Sequence, residues 1–299
     1  MTGRQIYARL RPAGRREPRI AGGDATARSA SGIDLRDAAV RKQLGDGTLH
    51  RGMRKALDAT ERELLRLCDE AEAERMRGDA RRVIGAGGKR LRPALAYLCW
   101  HMGAPAGERL RVVPLMCMLE LMHTASLIHD DVVDGAAKRR GVASINASSG
   151  RLAAVQSGDF LLAKAMEKLQ YYRGTGVNET LAAVSAEMCR AELLQQRLRC
   201  DADAQNEASY YAQLHGKTAS LLSASCRTGA LAGGLSDGAA GRLGRFGERF
   251  GLAFQILDDI LDFEAETVYG RPSGQDIRNG VLTLPVLLCK GEWPETTRR

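Results

Sequence analysis

Asp130-Asp131-Val132-Val133-Asp134 and Asp258-Asp259-Ile260-Leu261-Asp262 repeat one pattern 128 positions apart. On a helix, residues i and i+4 share a face, so Asp130 projects with Asp134 and Asp258 with Asp262. Three carboxylates within five residues repel one another unless a cation neutralises them. Mg²⁺ prefers oxygen ligands, keeps several waters and joins a few carboxylates to substrate phosphates. Two such clusters facing each other would clamp a diphosphate between metal ions. A single copy reads equally well as a solvated helix end. Two copies, each behind an apolar run and each near basic residues, favour the metal reading.

The basic candidates fall in short groups. Lys89, Arg90 and Arg92 follow the Gly85–Gly88 break, Arg139 and Arg140 follow the first cluster, and Lys217-Thr218 and Gln255 precede the second. Taken singly, the first group is a solvated turn and the second a loop, and His123 on an apolar face is an ordinary core histidine. Six carboxylates with bound metal would need an anionic partner, and that lifts these cations above their ordinary roles.

The elements that must position them read as helix after helix. Leu57, Leu64, Leu65, Leu67 and Cys68 share a face within 55–78. Pro93 suits the first turn of a helix running to about residue 102. Helices are expected at 114–134, 151–172, 178–200, 204–232, 236–264 and 281–290, with a loop over 135–150. No run of alternating strands is visible, so the expected fold class is all-α. Residues 1–33 are rich in Arg, Gly, Ala and Ser without periodicity and read as a disordered basic extension.

Composition narrows the partners. Of the 299 residues 44% are hydrophobic, enough for a large core. The net charge of +8 is concentrated in residues 1–54, which carry 12 Lys+Arg against 5 Asp+Glu, while the remainder carries 32 against 31. There is no basic stripe interleaved with aromatics, so nucleic acid is not an expected partner. The apolar stretch 112–128 is interrupted by Glu120, His123, Thr124 and Ser126 and reads as a buried helix rather than a transmembrane segment. Seven scattered cysteines without a CxxC pair read as free thiols in a reducing compartment. No secretory signal is visible, so a cytoplasmic location is expected, or an organelle if the extension is a transit peptide.

Taken in order, Gly87-Gly88-Lys89-Arg90-Leu91-Arg92-Pro93, the segment from Glu120 to Asp131, Arg139-Arg140-Gly141, Gly158-Asp159-Phe160-Leu161, Lys217-Thr218, the segment from Phe254 to Asp259, Gly270–Asp276 and Thr283-Leu284-Pro285 resemble the trans-type polyprenyl diphosphate synthase family, long-chain members above all. The resemblance spans about residues 55–290. It implies the isoprenoid-synthase fold, helices around a deep central cavity in a single domain over 34–299. It implies head-to-tail condensation of isopentenyl diphosphate with an allylic diphosphate such as farnesyl diphosphate, and a homodimer, with a heteromer as alternative. Asp130, Asp131, Asp134, Asp258, Asp259 and Asp262 would hold two or three Mg²⁺, with Mn²⁺ as a substitute. Arg139, Lys217, Thr218, Gln255 and Arg271 would meet the allylic diphosphate; Lys89, Arg92, His123 and Arg140 would hold isopentenyl diphosphate. Gly158 and Asp159 are expected to pack and cap.

Two departures and two rival readings follow from the same comparison. Val281 stands where the family usually has a lysine, and the chain ends 14 residues after Pro285, short for the family. Both favour a non-catalytic or regulatory subunit of a heteromeric enzyme, against which the intact metal and phosphate positions weigh. A class I terpene cyclase shares the fold but pairs one aspartate motif with an Asn/Ser/Glu motif, which is not what stands at 258–262. Small residues at Ala125 and Ser126, one turn before Asp130, leave the cavity floor open and predict a product of about C30 or longer by resemblance, with Met122 and Met118 yielding below.

Overall fold

The computed structural model describes residues 47–103, 111–268 and 274–290; side chains at 47–48 and 264–268 are left aside. The basic extension and Arg271 lie outside the described residues. Apart from one hairpin of two-residue strands, every regular element among them is helical, as the periodicity predicts.

The first helix, α1 (Gly47–Cys68), buries Leu64, Leu67 and Cys68. It does not run on to residue 78. The backbone turns at Asp69–Ala73, and α2 (Glu74–Gly85) starts anew. Arginines from α2 stabilise that turn: Arg77 donates to the Ala71 carbonyl at 2.8 Å, and Arg81 grips the Asp69 carboxylate at 2.6 and 2.5 Å. After Gly87 and Gly88 comes α3 (Leu91–His101), with Pro93 in its first turn.

The centre is α4 (Val112–Val133). Leu115, Met116, Cys117, Met118, Leu119 and Leu121 are all fully buried, the mark of a helix enclosed on every side. It is the one described helix long and apolar enough to cross a membrane, and here most of that stretch lies inside the core. Around it lie α3, α1 and α6 (Arg151–Glu167). A Cβ on Gly158 of α6 would strike the His129 ring, so this glycine is the close-packing residue expected. Asp159 caps nothing: it lies mid-helix, 3.5 Å from His129 Nε2.

The segment expected as a loop before α6 is structured. β1 (Lys138–Arg139) pairs with β2 (Val142–Ala143) across Arg140-Gly141, whose φ values of 51° and 82° fit a two-residue hairpin turn with both central residues left-handed. The short α5 (Ile145–Ser149) follows, capped by Ser144 Oγ accepting from the Ala147 N–H at 3.1 Å. Beyond α6 come a 3₁₀ turn, Lys168–Tyr172, and α7 (Val177–Leu198).

The expected helix 204–232 is α8 (Glu207–Leu214) and α9 (Ser220–Ala232) joined by a π-helical turn, His215–Ala219. Beside α9 runs α10 (Asp237–Val268), approaching closely where Gly247 and Gly251 face Leu222 and Ala219. The described residues end with α11 (Gln275–Arg278) and α12 (Leu284–Cys289). All seven cysteines are free; Cys68, Cys99, Cys117 and Cys226 are buried, whereas Cys189 and Cys200 are exposed.

Candidate active site

The apolar length of α4 delivers Asp130, Asp131 and Asp134 to its C-terminal end. They do not share one environment. Asp131 is buried, and Arg139 of the hairpin grips its Oδ1 through Nε at 2.9 Å and Nη2 at 2.6 Å. Asp134 accepts from Arg199 Nη1 at 3.4 Å, while Arg199 Nε holds the Asn279 carbonyl at 2.7 Å. Asp130 Oδ2 lies 3.5 Å from Lys217 Nζ. Burial pushes the Asp130 carboxyl above its ordinary value, although the Lys217 ammonium pulls the other way.

Lys217 projects from the π-helical turn, a feature that recurs at functional sites because it re-aims side chains within a helix. Its ammonium also lies 3.2 Å from Glu192 Oε2 and 3.4 Å from Gln195 Oε1, both on α7. Burial alone would lower its pKa; Asp130 and Glu192 outweigh burial and raise it. The next residue, Thr218, donates to Gln255 Oε1 at 2.9 Å, and Gln255 Nε2 donates to Asp259 Oδ1 at 3.0 Å.

The second cluster is divided in the same way. Asp259 is buried, and its other oxygen accepts from the Tyr210 hydroxyl at 2.6 Å. Asp258 is exposed at the rim. Asp262 Oδ2 receives the Asp276 N–H at 3.4 Å. Burial raises Asp259 and Asp262, and the carboxylates add to each other. Asp276 collects the effect: burial, then Asp262, Asp259 and Asp258, push it up to about 7. Lys217 senses Asp130 and Asp134 on one side and Asp276 on the other, so both clusters border one space.

This is an oxygen-donor set with more negative charge than its nearby cations offset, which suits a hard divalent ion. Among the described residues no three carboxylate, thiol or imidazole groups already converge on a point. An ion here would complete its shell from water and substrate oxygens, as Mg²⁺ usually does.

Adjoining the clusters is a cradle of cations: Arg140 follows Arg139 in the hairpin, and Lys89 lies within electrostatic reach of Asp258. Gly87 and Gly88 have φ values of 79° and 151°, conformations that favour glycine, and the Arg140 guanidinium lies across them, donating to the Gly87 carbonyl. Arg92 lies beside it, half-buried. Its Nε is buried without a hydrogen-bond partner, and burial pushes its pKa down to about 10 despite Glu120. Burial, then Arg92 and Arg140, holds His123 well below the usual imidazole range. Lys89 Nζ stands 5.9 Å from the Phe254 ring centroid, lowered by burial and partly restored by Asp258. A buried guanidinium nitrogen without an acceptor, beside a second arginine, favours an anion nearby.

The structure thus gathers Arg92, His123 and Arg140 in one place, sets Lys217, Thr218 and Gln255 among the aspartates, and leaves Lys89 beside Phe254 and Asp258. Arg139 lies against Asp131. Sequence reasoning missed Glu192, Gln195, Arg199 and Tyr210. The first three lie on one face of α7 and its end at spacings of three and four, a signal that was present but resembles any solvated face. Tyr210 carried no local signal at all.

A family model described as polyprenyl synthetase matches residues 74–297. The heptaprenyl diphosphate synthase component 2 of Geobacillus stearothermophilus is 40% identical over 206 residues, 69% of this chain and 63% of that protein. The chloroplastic solanesyl-diphosphate synthase 2 of Oryza sativa subsp. japonica is 36% identical over 72% of this chain and 55% of its own length. The chain therefore spans less than two thirds of these curated relatives. Among solved structures, heptaprenyl diphosphate synthase from Staphylococcus aureus superposes with a TM-score of 0.76 at 31% identity, covering 82% of this chain and 76% of that one. A polyprenyl synthase from Caulobacter crescentus, complexed with calcium and isoprenyl diphosphate, gives the same TM-score and identity over 83% and 75%.

Proposed function

Since the chain belongs to the polyprenyl synthetase family and has its all-α isoprenoid-synthase fold, we propose that it is a trans-polyprenyl diphosphate synthase. It would join isopentenyl diphosphate head-to-tail to an allylic diphosphate and give a long-chain product. The observation that carries this reading is the pairing of a cation-demanding site with an anion-demanding one: the carboxylate clusters, with Lys217 against Asp130, and the cradle with its partnerless Arg92 Nε.

In this reading Asp130, Asp134, Asp258 and Asp262 are the ligands open to Mg²⁺. Asp131, held by Arg139, and Asp259, held by Tyr210 and Gln255, fix the two clusters in place. Bound Mg²⁺ would neutralise the diphosphate leaving group. Lys217 and Thr218 place the allylic diphosphate against the clusters, and Arg92, Arg140 and Lys89 hold isopentenyl diphosphate. The allylic C–O bond breaks, its electron pair leaving with the diphosphate. The double bond of isopentenyl diphosphate then attacks the cation, and the proton lost from the adjacent carbon passes to the departing diphosphate. No side-chain base is needed.

Incubation of the purified chain with Mg²⁺, farnesyl diphosphate and labelled isopentenyl diphosphate tests the reading. A ladder of labelled prenyl diphosphates supports it. A hydrocarbon formed without isopentenyl diphosphate would replace it with the cyclase reading. The name of the Geobacillus relative, a component 2, favours one second reading: a subunit active only with another chain, shown by silence alone and activity on adding the partner.

A further inference from the structure

Arg90 stands between Lys89 and Arg92 in the sequence but turns to carboxylates of the protein itself. Its φ is 49°, a left-handed conformation that costs any residue with a side chain, and it occupies the N-cap of α3 without a side-chain capping bond. Only three described non-glycine residues have positive φ, and two of them, Arg90 and Arg140, belong to the segments that build the cradle. Such strain persists only where the surroundings over-determine it.

At Arg90 the surroundings are explicit. The residue is 6% exposed. Its Nη1 donates to Glu120 Oε1 at 2.6 Å, its Nη2 to Glu61 Oε2 and to the Ile84 carbonyl at 3.0 Å each, and its Nε to Glu61 Oε1. The two carboxylates come from α1 and α4, and the carbonyl from α2. Every nitrogen of this guanidinium is thus occupied inside the protein, and none is left for a substrate. The clamp also explains why an acidic residue interrupts the most apolar helix of the chain: Glu120 is there to hold Arg90.

The geometry points to Arg90 as a positioning residue for the isopentenyl diphosphate cradle. Its grip on Glu61 and Glu120 holds the left-handed turn between Lys89 and Arg92, with the Arg140 guanidinium seated on Gly87 and Gly88 just before it. The clamp would set affinity for the isopentenyl diphosphate while leaving the allylic site, built from α4, α10 and the π turn, untouched. This rests on the assignment of the cradle made under the proposed function.

The test is calorimetric titration of the full chain with isopentenyl diphosphate alone, and separately with a non-ionising farnesyl thiodiphosphate and Mg²⁺, for wild type, Arg90→Gly, Arg90→Lys and Glu61→Gln. Glycine tolerates the left-handed turn, so Arg90→Gly removes the clamp and keeps the backbone. Expected is a loss of isopentenyl diphosphate affinity of about tenfold or more, roughly one charge-assisted bond, with allylic affinity within about twofold. Arg90→Lys should recover part of that loss. Should Arg90→Gly not fold, Glu61→Gln, which weakens one side of the clamp at a partly exposed carboxylate, should move affinity in the same direction by less. Undiminished binding by Arg90→Gly, or parallel weakening of both ligands, overturns the proposal. If wild type binds neither diphosphate, the reading of the cradle falls first. If wild type binds and turns over while Arg90→Gly is unaffected, only the positioning role falls.

Discussion

Lys217 and Asp130, 87 positions apart in the chain, meet at 3.5 Å. The ammonium belongs to the π turn and the carboxylate to the end of α4, so this pair brings the second half of the chain to the first cluster. Lys217→Met should leave Asp130 buried without its counter-charge and the leaving diphosphate without a fixed cation. Loss of one preorganised electrostatic group costs about 10²–10³ in kcat. Turnover near wild type, with an unchanged circular dichroism spectrum, would remove Lys217 from the mechanism.

The aspartates should separate into two grades. Asp130→Ala and Asp258→Ala delete groups open to the ion and should nearly abolish turnover while the fold stays intact. Tyr210→Phe deletes only the 2.6 Å bond that steadies Asp259, and a hydrogen bond to a charged group is worth about 1.5–3 kcal/mol. Its loss should weaken the apparent Mg²⁺ affinity and leave a measurable kcat. Retained activity in Asp258→Ala would end the two-cluster mechanism.

His123 makes diphosphate binding pH-dependent. Burial and the neighbouring arginines hold its pKa well below the ordinary value, so the free protein carries it neutral. Without ligand, stability should fall as pH drops below the ordinary imidazole pKa of about 6.5, because the unfolded chain takes the proton first. An anion among Arg92 and Arg140 reverses the local field and raises the pKa. Binding should then take up a proton, and affinity should grow as pH falls toward 6. Titration at pH 6 in two buffers of different ionisation enthalpy checks this. Equal proton uptake by wild type and His123→Gln would show that the imidazole is a spectator.

The two small residues below Asp130 are not equivalent. Ala125 is 2% exposed within the main core cluster, and Met118 and Met122 are core residues too. Ser126 is only partly buried, its Oγ bonded to the His123 carbonyl at 2.9 Å. Ser126→Phe should therefore shorten the main product to about C15–C20 with turnover retained, by resemblance to short-chain relatives and because an aromatic there meets the descending chain at about one turn, 5.4 Å, below the site. Ala125→Tyr should instead overpack the core at a cost of about 1–3 kcal/mol. Product chromatography and Tm distinguish the two outcomes.

How much of this was legible in the sequence depended on the range of the signal. The aspartate pairs, the Gly-Gly-Lys turn and the apolar run of α4 are written within a few residues, and helical periodicity placed them. The break at Asp69–Ala73 was not, because Arg77 and Arg81 stabilise it from the next helix. The same limit hid Tyr210, whose role is a contact with a residue 49 positions away. Glu120 was visible only as an interruption of an apolar face; its partner Arg90 lies on another element.

The π turn carries one more residue than an α-helix of the same reach. Deleting any one of His215–Ala219 would let the segment relax into continuous α-helix, with better hydrogen bonding and a higher melting temperature. It would leave α8 and α9 in their places, because the extra residue is absorbed within the turn, but it would remove or re-aim Lys217 and break its approach to Asp130. This protein could thus be made sturdier and inert by a single codon, so selection for stability alone would erase its chemistry.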